Sequence, residues 1–255
     1  SLPMQAVVAT IDSATDTVSY GTVATFDTPS SFGGVVSLAW DSDNSKLGVF
    51  YYVNNASCKV RIATISGTTL SFGTAVTYET GFATQPTASY AGSGKFIVCH
   101  YDTTNSNYLV GYGVSVSGTT PTVGTKTTLE STTSSLNYEN IWNETAGRVV
   151  VVYRANSSAV KARVLKITTG TTISAGAASS NVSGSGINNS AGTNVSGTKN
   201  ILVVSATDAA GNGVGVTVGT IDETAETISF GSRVLFMAYN DGYTSTSYQN
   251  VGYSP

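Results

Sequence analysis

Ser71-Phe72-Gly73-Thr74 is one of five short phrases built around a glycine that recur along this chain. The glycines are separated by 52, 51, 52 and 55 residues, at positions Gly21, Gly73, Gly124, Gly176 and Gly231. A period near 50 residues is typical of folds that use one supersecondary unit repeatedly, such as propellers. The 255 residues therefore predict a single repeating domain over residues 1–255.

Each repeat has the pattern of four strands. In the second repeat, residues 36–40 and 47–52 are β-rich runs joined by a polar turn, as in a hairpin. Residues 59–65 alternate charged and apolar side chains, and the glycine phrase lies within a fourth run over residues 70–78. A series of antiparallel sheets protects its edges by closing radially. The sequence therefore predicts an all-β fold, a single β-propeller of about five four-stranded antiparallel blades with a period of about 52 residues.

The two ends of the chain predict one composite blade. Residues 248–253 match the first strand of a repeat, whereas residues 5–11 match a third strand. The closing blade is therefore expected to be built from both termini, without a clear second strand. The alternative is that the sequence is a segment of a longer chain that contains the remaining strands.

Composition and charge argue against several kinds of partner. Only 11% of the residues are charged, and the net charge is -3 with 12 lysines and arginines. These cations are dispersed, so neither a nucleic-acid partner nor an anionic membrane surface is expected. No apolar run is long enough for a transmembrane helix, so membrane insertion is not expected either. Cys58 and Cys99 occupy non-equivalent positions of neighbouring repeats, which does not favour a disulfide.

Loops on one face of the predicted propeller favour ligand binding. The loops after the second and fourth strands share a face and combine short amide and hydroxyl side chains with aromatic rings. Amides and hydroxyls suit the hydroxyl groups of a sugar, and a ring suits its apolar face. The same residues are also ordinary turn formers, which is the plain alternative. The candidate ligand-binding residues are Phe32, Phe82, Asn107, Tyr138, Asn156, Asn212 and Tyr243.

The acidic residues do not form a catalytic pattern. A propeller glycosidase needs two or three carboxylates that converge near its axis. The predicted inner strands contribute only Glu139. Asp27, Glu79 and Glu130 each follow a repeat glycine by six residues and are interpreted as solubilising charges on separate blades. The sequence therefore predicts that the protein is not an enzyme.

Metal and cofactor sites are not expected. The run Asp41-Ser42-Asp43-Asn44-Ser45 alternates oxygen ligands but lacks the glycine and the bidentate glutamate of a calcium loop, so it is interpreted as a turn. His100 directly follows Cys99 and points to the other side of its strand, which prevents a local Cys-His metal pair.

Two tryptophans occupy equivalent places in their repeats. Trp40 and Trp142 each precede the cation of the second strand by six residues. Packing between blades is the favoured interpretation, and stacking of a ligand at the channel mouth is the alternative.

The repeat phrase resembles a known group of proteins. The stretches Ile65-Ser66-Gly67-Thr68-Thr69-Leu70-Ser71-Phe72-Gly73-Thr74 and Trp142-Asn143-Glu144-Thr145-Ala146-Gly147-Arg148 are similar to repeats of virion proteins of marine and other tailed phages, including tail-fibre and appendage proteins. The resemblance implies an extracellular propeller displayed on a virion surface, whose partners are host-surface glycans or other virion subunits. It transfers no binding residue.

Three functions follow as hypotheses. The first is a non-enzymatic recognition module that binds host glycans weakly at several sites. The second is a purely structural virion or surface-assembly module. The third, least favoured, is a propeller glycosidase.

Overall fold

The structure is a computed structural model that describes residues 3–29, 35–53, 57–81, 83–132, 134–155, 159–180, 182, 187–207 and 213–238. Its strands fall into five groups that follow the sequence repeat. The first group is β1 (Met4–Ala6), β2 (Ala9–Asp12), β3 (Thr17–Tyr20) and β4 (Ala24–Asp27). The second is β5 (Val36–Asp41), β6 (Lys46–Val53), β7 (Ser57–Ser66), β8 (Thr69–Phe72) and β9 (Val76–Thr80).

The third group is β10 (Ala83–Tyr90), β11 (Lys95–Asp102), β12 (Tyr108–Ser117), β13 (Thr120–Val123) and β14 (Thr127–Glu130). The fourth is β15 (Ser134–Asn143), β16 (Arg148–Ala155), β17 (Ala159–Ile167) and β18 (Ile173–Ala175). The fifth is β19 (Ile187–Asn194), β20 (Asn200–Thr207), β21 (Gly213–Asp222), β22 (Thr227–Phe230) and β23 (Val234–Ala238).

The second to fifth repeats each form one antiparallel sheet in which sequential strands are neighbours. The fourth strand of the second repeat is split into β8 and β9, which both pair with β7. The split lies at the repeat glycine, where the amide of Gly73 donates a hydrogen bond of 2.9 Å to the carbonyl of Ile62. The prediction of an all-β propeller architecture is thus confirmed.

The first repeat contains only the third and fourth strands in the described residues. β1 pairs with β4, and β2 pairs with β3, as two two-stranded sheets. Residues 248–253, which were expected to complete this blade, lie outside the described residues. The composite closing blade therefore stays a prediction.

The repeat glycines are required by the neighbouring repeat. A Cβ atom placed on four of them would lie no more than 2.5 Å from a backbone carbonyl oxygen in the hairpin turn of the next repeat. The pairs are Gly21 with Thr68, Gly73 with Thr119, Gly124 with Thr171, and Gly176 with Glu226. Only a residue without a side chain allows the turn to approach so closely.

The hydrophobic core lies between successive sheets. Phe50 of β6 and Phe96 of β11 are fully buried and meet edge to face with ring centroids 5.8 Å apart. Between the first and second repeats, Phe26 meets Tyr51 in the same way at 5.3 Å. Such aromatic pairs contribute about 0.5–1.5 kcal/mol beyond the area that they bury. The second strands are buried along most of their length because sheets cover both of their faces.

The inner strands of neighbouring repeats are joined by side chains. At one equivalent position in each of three inner strands, a side-chain oxygen accepts a hydrogen bond from a backbone amide of the next inner strand. The pairs are Ser37 with Ala88 at 2.9 Å, Thr87 with Asn140 at 3.3 Å, and Glu139 with Gly192 at 2.6 Å. Glu139 is therefore engaged in holding two repeats together.

The three acids that follow the repeat glycines are not solubilising charges, and that interpretation was wrong. Each accepts a hydrogen bond from a tyrosine hydroxyl of the next repeat. The pairs are Asp27 with Tyr51 at 2.7 Å, Glu79 with Tyr112 at 2.7 Å, and Glu130 with Tyr153 at 3.0 Å. The acids are polar links between sheets.

Glu79 has the densest set of partners among these acids. Lys126 Nζ lies 2.5 Å from Glu79 Oε2 and 2.9 Å from Asp102 Oδ2, and the buried His100 lies 3.7 Å from the same Glu79 oxygen. Burial alone would raise the pKa of Glu79. The nearby imidazole of His100 and the hydrogen bonds from Lys126 and Tyr112 outweigh burial and lower the pKa to about 2. The carboxylate is thus held in its charged form.

Both cysteines are free and buried. Burial raises the pKa of Cys58 and of Cys99 to about 12. No helix in the described residues is long and apolar enough to cross a membrane.

Candidate functional site

Five of the seven predicted ligand-binding residues lie outside the described residues: Phe32, Phe82, Asn156, Asn212 and Tyr243. Asn107 lies in the turn between β11 and β12 with a φ of 58°, a left-handed conformation that asparagine tolerates. Tyr138 packs edge to face on Tyr101, with ring centroids 4.7 Å apart, and its hydroxyl donates to the carbonyl of Gln85. The structure thus gives Tyr138 a role in packing the third repeat against the fourth, and ligand binding by these residues stays a prediction.

A cleft with binding chemistry lies on the opposite face. It is formed by the turns that join the first and second strands of the second, third and fourth repeats, and its volume is about 530 Å³. Its lining residues are Leu38, Ala39, Trp40, Ser42, Asp43, Ala88, Ser89, Tyr90, Gly92, Ser93, Trp142 and Glu144. We call this the indole cleft because it contains both tryptophans of the chain.

The aromatic side chains of the indole cleft differ in exposure. Tyr90 is buried and meets Trp142 edge to face, with ring centroids 5.6 Å apart. Trp142 also covers Gly92, whose φ of +80° allows the turn to pass beneath the indole. Trp40 is 46% exposed. The prediction of packing between blades is therefore correct for Trp142. Trp40 leaves nearly half of its surface exposed, and residues 248–253, which were expected to form the neighbouring inner strand, lie outside the described residues.

The polar turns beside these rings are held in place by their own hydrogen bonds. Asp41 is fully buried, and its Oδ1 accepts bonds from the amides of Asp43 and Asn44 at 3.1 and 3.2 Å. Asp43 Oδ2 in turn accepts a bond of 3.1 Å from the amide of Ser93 in the next repeat. These bonds show that the run from Asp41 is a turn, as predicted. They also fix the Asp43 carboxylate at the wall of the cleft.

The charge of the indole cleft is negative. Asp43 and the exposed Glu144 supply two carboxylates, and no lysine or arginine is among the residues that line it. Burial raises the pKa of Tyr90, and the neighbouring Asp43 raises it further, so this phenol stays neutral. The cleft therefore offers hydrogen-bond acceptors and hydroxyl groups beside an exposed indole ring.

A metal centre is not visible in the described part of the chain. No group of three or more His, Cys, Asp or Glu residues is placed there to hold a metal ion. His100 is buried and stacks on Tyr112 with ring centroids 5.7 Å apart.

The strand register identifies the residues equivalent to the tryptophans. Trp40 pairs with Leu47, Trp142 with Val149, and Asn194 with Ile201. The fifth repeat therefore places Asn194 at this position, one residue before the Val195 that the sequence pattern suggested. A sequence signal for the indole cleft was present in the Trp40-Asp41 and Trp142-Asn143 dipeptides. It could not show which of the two indoles is exposed.

Several solved structures are similar to this chain at low sequence identity. No protein-family model matches the sequence, and no curated protein matches it. Among solved structures, an exo-β-1,3-galactanase from Phanerochaete chrysosporium with galactose aligns over 91% of this chain at 10% identity, with a TM-score of 0.48. The chain spans about half of that enzyme, 54% of its length.

Lectins give comparable alignments. A mutant Aleuria aurantia lectin in complex with α-methyl-L-fucoside aligns over 90% of this chain and 74% of its own, at 15% identity and a TM-score of 0.45. A mutant of AofleA from Arthrobotrys oligospora aligns over 91% of this chain and 89% of its own, at 11% identity and a TM-score of 0.41. At these identities the likeness concerns the fold alone.

Proposed function

We propose that the protein is a non-enzymatic carbohydrate-recognition module and that the indole cleft is its sugar site. The observation that carries this proposal is the exposed ring of Trp40 beside the fixed carboxylate of Asp43. A buried indole would serve packing, whereas an exposed one on a rigid turn offers a flat apolar surface to a ligand.

The chemistry of the cleft suits a neutral sugar. The C–H face of a pyranose stacks on Trp40, and its hydroxyls donate to the carboxylates of Asp43 and Glu144. The hydroxyls of Ser42 and Ser93 can donate or accept. A negatively charged sugar is disfavoured because the two carboxylates repel it.

The absence of hydrolytic activity is part of the proposal. Glu139 is the carboxylate that the sequence placed near the axis, and its Oε2 accepts the amide of Gly192 at 2.6 Å. Burial raises its pKa. A raised pKa suits a general acid, but a retaining or inverting hydrolase needs a second carboxylate across the same bond. We therefore assign Glu139 to repeat packing.

The biological setting that we propose is a phage virion. The resemblance of the repeat phrase to tail-fibre and appendage proteins, together with the low content of charged residues, supports an extracellular propeller that contacts host-surface glycans. Weak binding to one cleft gains strength when several modules are displayed together.

The two tryptophans make the proposal directly testable. Both line the indole cleft, so tryptophan emission that is excited selectively over that of the 14 tyrosines reports on this site. We expect a broad glycan array that includes bacterial surface polysaccharides to give selective, saturable binding, and the sugars that bind to change the tryptophan emission. Trp40→Ala should weaken binding about tenfold or more, which corresponds to about 1.4 kcal/mol.

Tyr20→Ala is the matched control. Tyr20 is an aromatic residue that is 71% exposed and lies on the hairpin of the first repeat, outside the cleft. This variant should bind a free monovalent sugar in solution as the parent does, and that measurement does not depend on contacts between copies. Equal binding by Trp40→Ala and the parent would refute the assignment of the cleft, and a blank array from folded protein would favour the structural-module hypothesis instead.

A further inference from the structure

The hairpin of the first repeat exposes residues that the hairpin of the last repeat buries. Counted from the repeat glycines, Ile11 and Val18 are equivalent to Ile221 and Ile228. Ile11 is 75% and Val18 is 52% exposed, whereas Ile221 and Ile228 are 3% and 6% exposed. The fourth repeat covers the hairpin of the fifth. The hairpin of the first repeat therefore presents an apolar face that fits a preceding repeat.

The last repeat exposes the opposite face. The amide of its glycine, Gly231, donates to the carbonyl of Val218, as the amide of Gly73 donates to Ile62. Ile62 is fully buried against the third repeat, whereas Val218 is 43% exposed. Around the Cβ position of Gly231, the described residues provide only the Val218 oxygen within 4 Å, at 3.8 Å. Within the described residues, no turn therefore occupies the site that receives one in the earlier repeats.

We propose that these two faces bind each other between copies of this chain, head to tail. The hairpin turn at Asp16 of one copy packs on Gly231 of a second copy, as the turn at Glu226 packs on Gly176 within the chain. The proposal does not depend on the sugar site.

The internal interface provides the expected contacts. Ser174 Oγ lies 2.8 Å from Glu226 Oε2 across the junction of the fourth and fifth repeats. Asp16 corresponds to Glu226, and Ser229 corresponds to Ser174. A hydroxyl and a carboxylate are therefore available for the same hydrogen bond between two copies.

The apolar character of both faces indicates that each is covered by another protein surface. Terminal units of repeat proteins remain soluble when their outer faces are polar. Here the outer faces carry Ile11 and Val18 at one end, and Val218 and Val234 at the other, with Val234 62% exposed. Because the two faces differ, their contact is heterologous, and such contacts generate closed rings or open filaments.

Cysteine cross-linking tests the proposal with defined partners. One chain carries Asp16→Cys and a second, differently tagged chain carries Ser229→Cys. Cys58 and Cys99 are buried with raised pKa values, so they do not interfere. Under mild oxidation, we expect a mixed disulfide dimer from the mixture that exceeds by tenfold or more the dimer formed by either variant alone, because the contact joins two different positions.

Two further variants decide between the possible results. Gly231→Val in the Ser229→Cys chain places a side chain where the turn must sit, so the mixed dimer should disappear while the circular-dichroism spectrum and melting temperature are retained. A single chain that carries both Asp16→Cys and Ser229→Cys should give intermolecular species. A purely intrachain disulfide in that chain, or no disulfide in the mixture, would overturn the proposal.

Discussion

The repeat glycines allow a paired test of how neighbouring repeats hold each other. A Cβ atom at Gly124 would lie 2.5 Å from the carbonyl oxygen of Thr171, whereas one at Gly231 meets nothing closer than 3.8 Å among the described residues. Alanine at position 124 must push a backbone carbonyl aside by about 0.9 Å to reach ordinary contact, and overpacking of this kind costs about 1–3 kcal/mol. Alanine at position 231 meets no such barrier.

The effect of alanine on the unfolded chain changes the stability by a smaller amount and with the opposite sign. Neither glycine has a φ in the left-handed region, so alanine is compatible with the backbone and restricts the unfolded chain, which stabilises by about 0.4–1 kcal/mol. The net effect at Gly124 then lies between about zero and a loss of about 2.6 kcal/mol. For a chain of this size, that corresponds to a melting temperature lower by up to about 10 °C. Gly231→Ala should leave the melting temperature unchanged or raise it slightly.

The assay is thermal unfolding followed by circular dichroism, with urea unfolding as a second measurement, at a protein concentration low enough to keep the chain monomeric. A Gly124→Ala variant that is no less stable than the parent and no less stable than Gly231→Ala would refute the argument that the neighbouring carbonyl requires glycine. Equal destabilisation by both substitutions would show that Gly231 is covered within its own chain, which contradicts the head-to-tail proposal.

Two other residues give predictions from their hydrogen bonds. The pKa of Glu79 is about 2 in the folded chain against an ordinary value of 4.5, so its contribution to stability is complete above about pH 4.5 and is lost as the pH falls toward 2. Glu79→Gln should therefore be less stable than the parent at pH 7, and the difference in urea midpoint should narrow by pH 3; a constant difference would contradict this. Asn143 is fully buried, and its amide donates to the side chain of Asn194 and to two carbonyls of the fifth repeat. Asn143→Ala should lower the free energy of unfolding by about 1–3 kcal/mol, because buried partners lose their bonds; an unchanged urea midpoint would disprove that role.

Much of the fold could be predicted from local sequence patterns. The strands of the second repeat follow from alternation and turn residues, and the strand order follows because sequential antiparallel strands pair. The requirement for glycine at this position could not be predicted from the sequence of one repeat. The carbonyl that excludes a side chain at Gly73 belongs to Thr119, 46 residues further along the chain.

Contacts between repeats also explain the misassigned acids. A carboxylate beside a loop is most often solvated, and nothing close to Glu79 in sequence suggests otherwise. Its tyrosine partner is Tyr112, which lies 33 residues away on the third strand of the next repeat. The equivalent acid Asp27 instead meets Tyr51 on a second strand. The position of the partner varies between repeats, so a search for a fixed spacing would have failed.

The sequence argument directed the candidate site to the face opposite the indole cleft, for a related reason. Loops after the second and fourth strands are longer and richer in asparagine, which drew the sequence argument to residues such as Asn107. The turns between first and second strands are short, and their composition is that of ordinary turns. The indole cleft arises only where three of these turns meet, with Trp40, Tyr90 and Trp142 contributed by different repeats.

The proposed sugar site and the proposed head-to-tail contact lie on different surfaces and can act together. The indole cleft and the two end faces share no residue, so association through Asp16 and Gly231 leaves the cleft free. Each added copy would contribute a further cleft at a fixed orientation, and avidity then rises without new contacts to the sugar. Gly231→Val should consequently weaken retention on a dense glycan surface while leaving the affinity of a single sugar for the cleft unchanged. If Gly231→Val loses both surface retention and single-sugar affinity, the substitution disturbs the fold. If it loses neither, retention on the glycan surface does not depend on assembly.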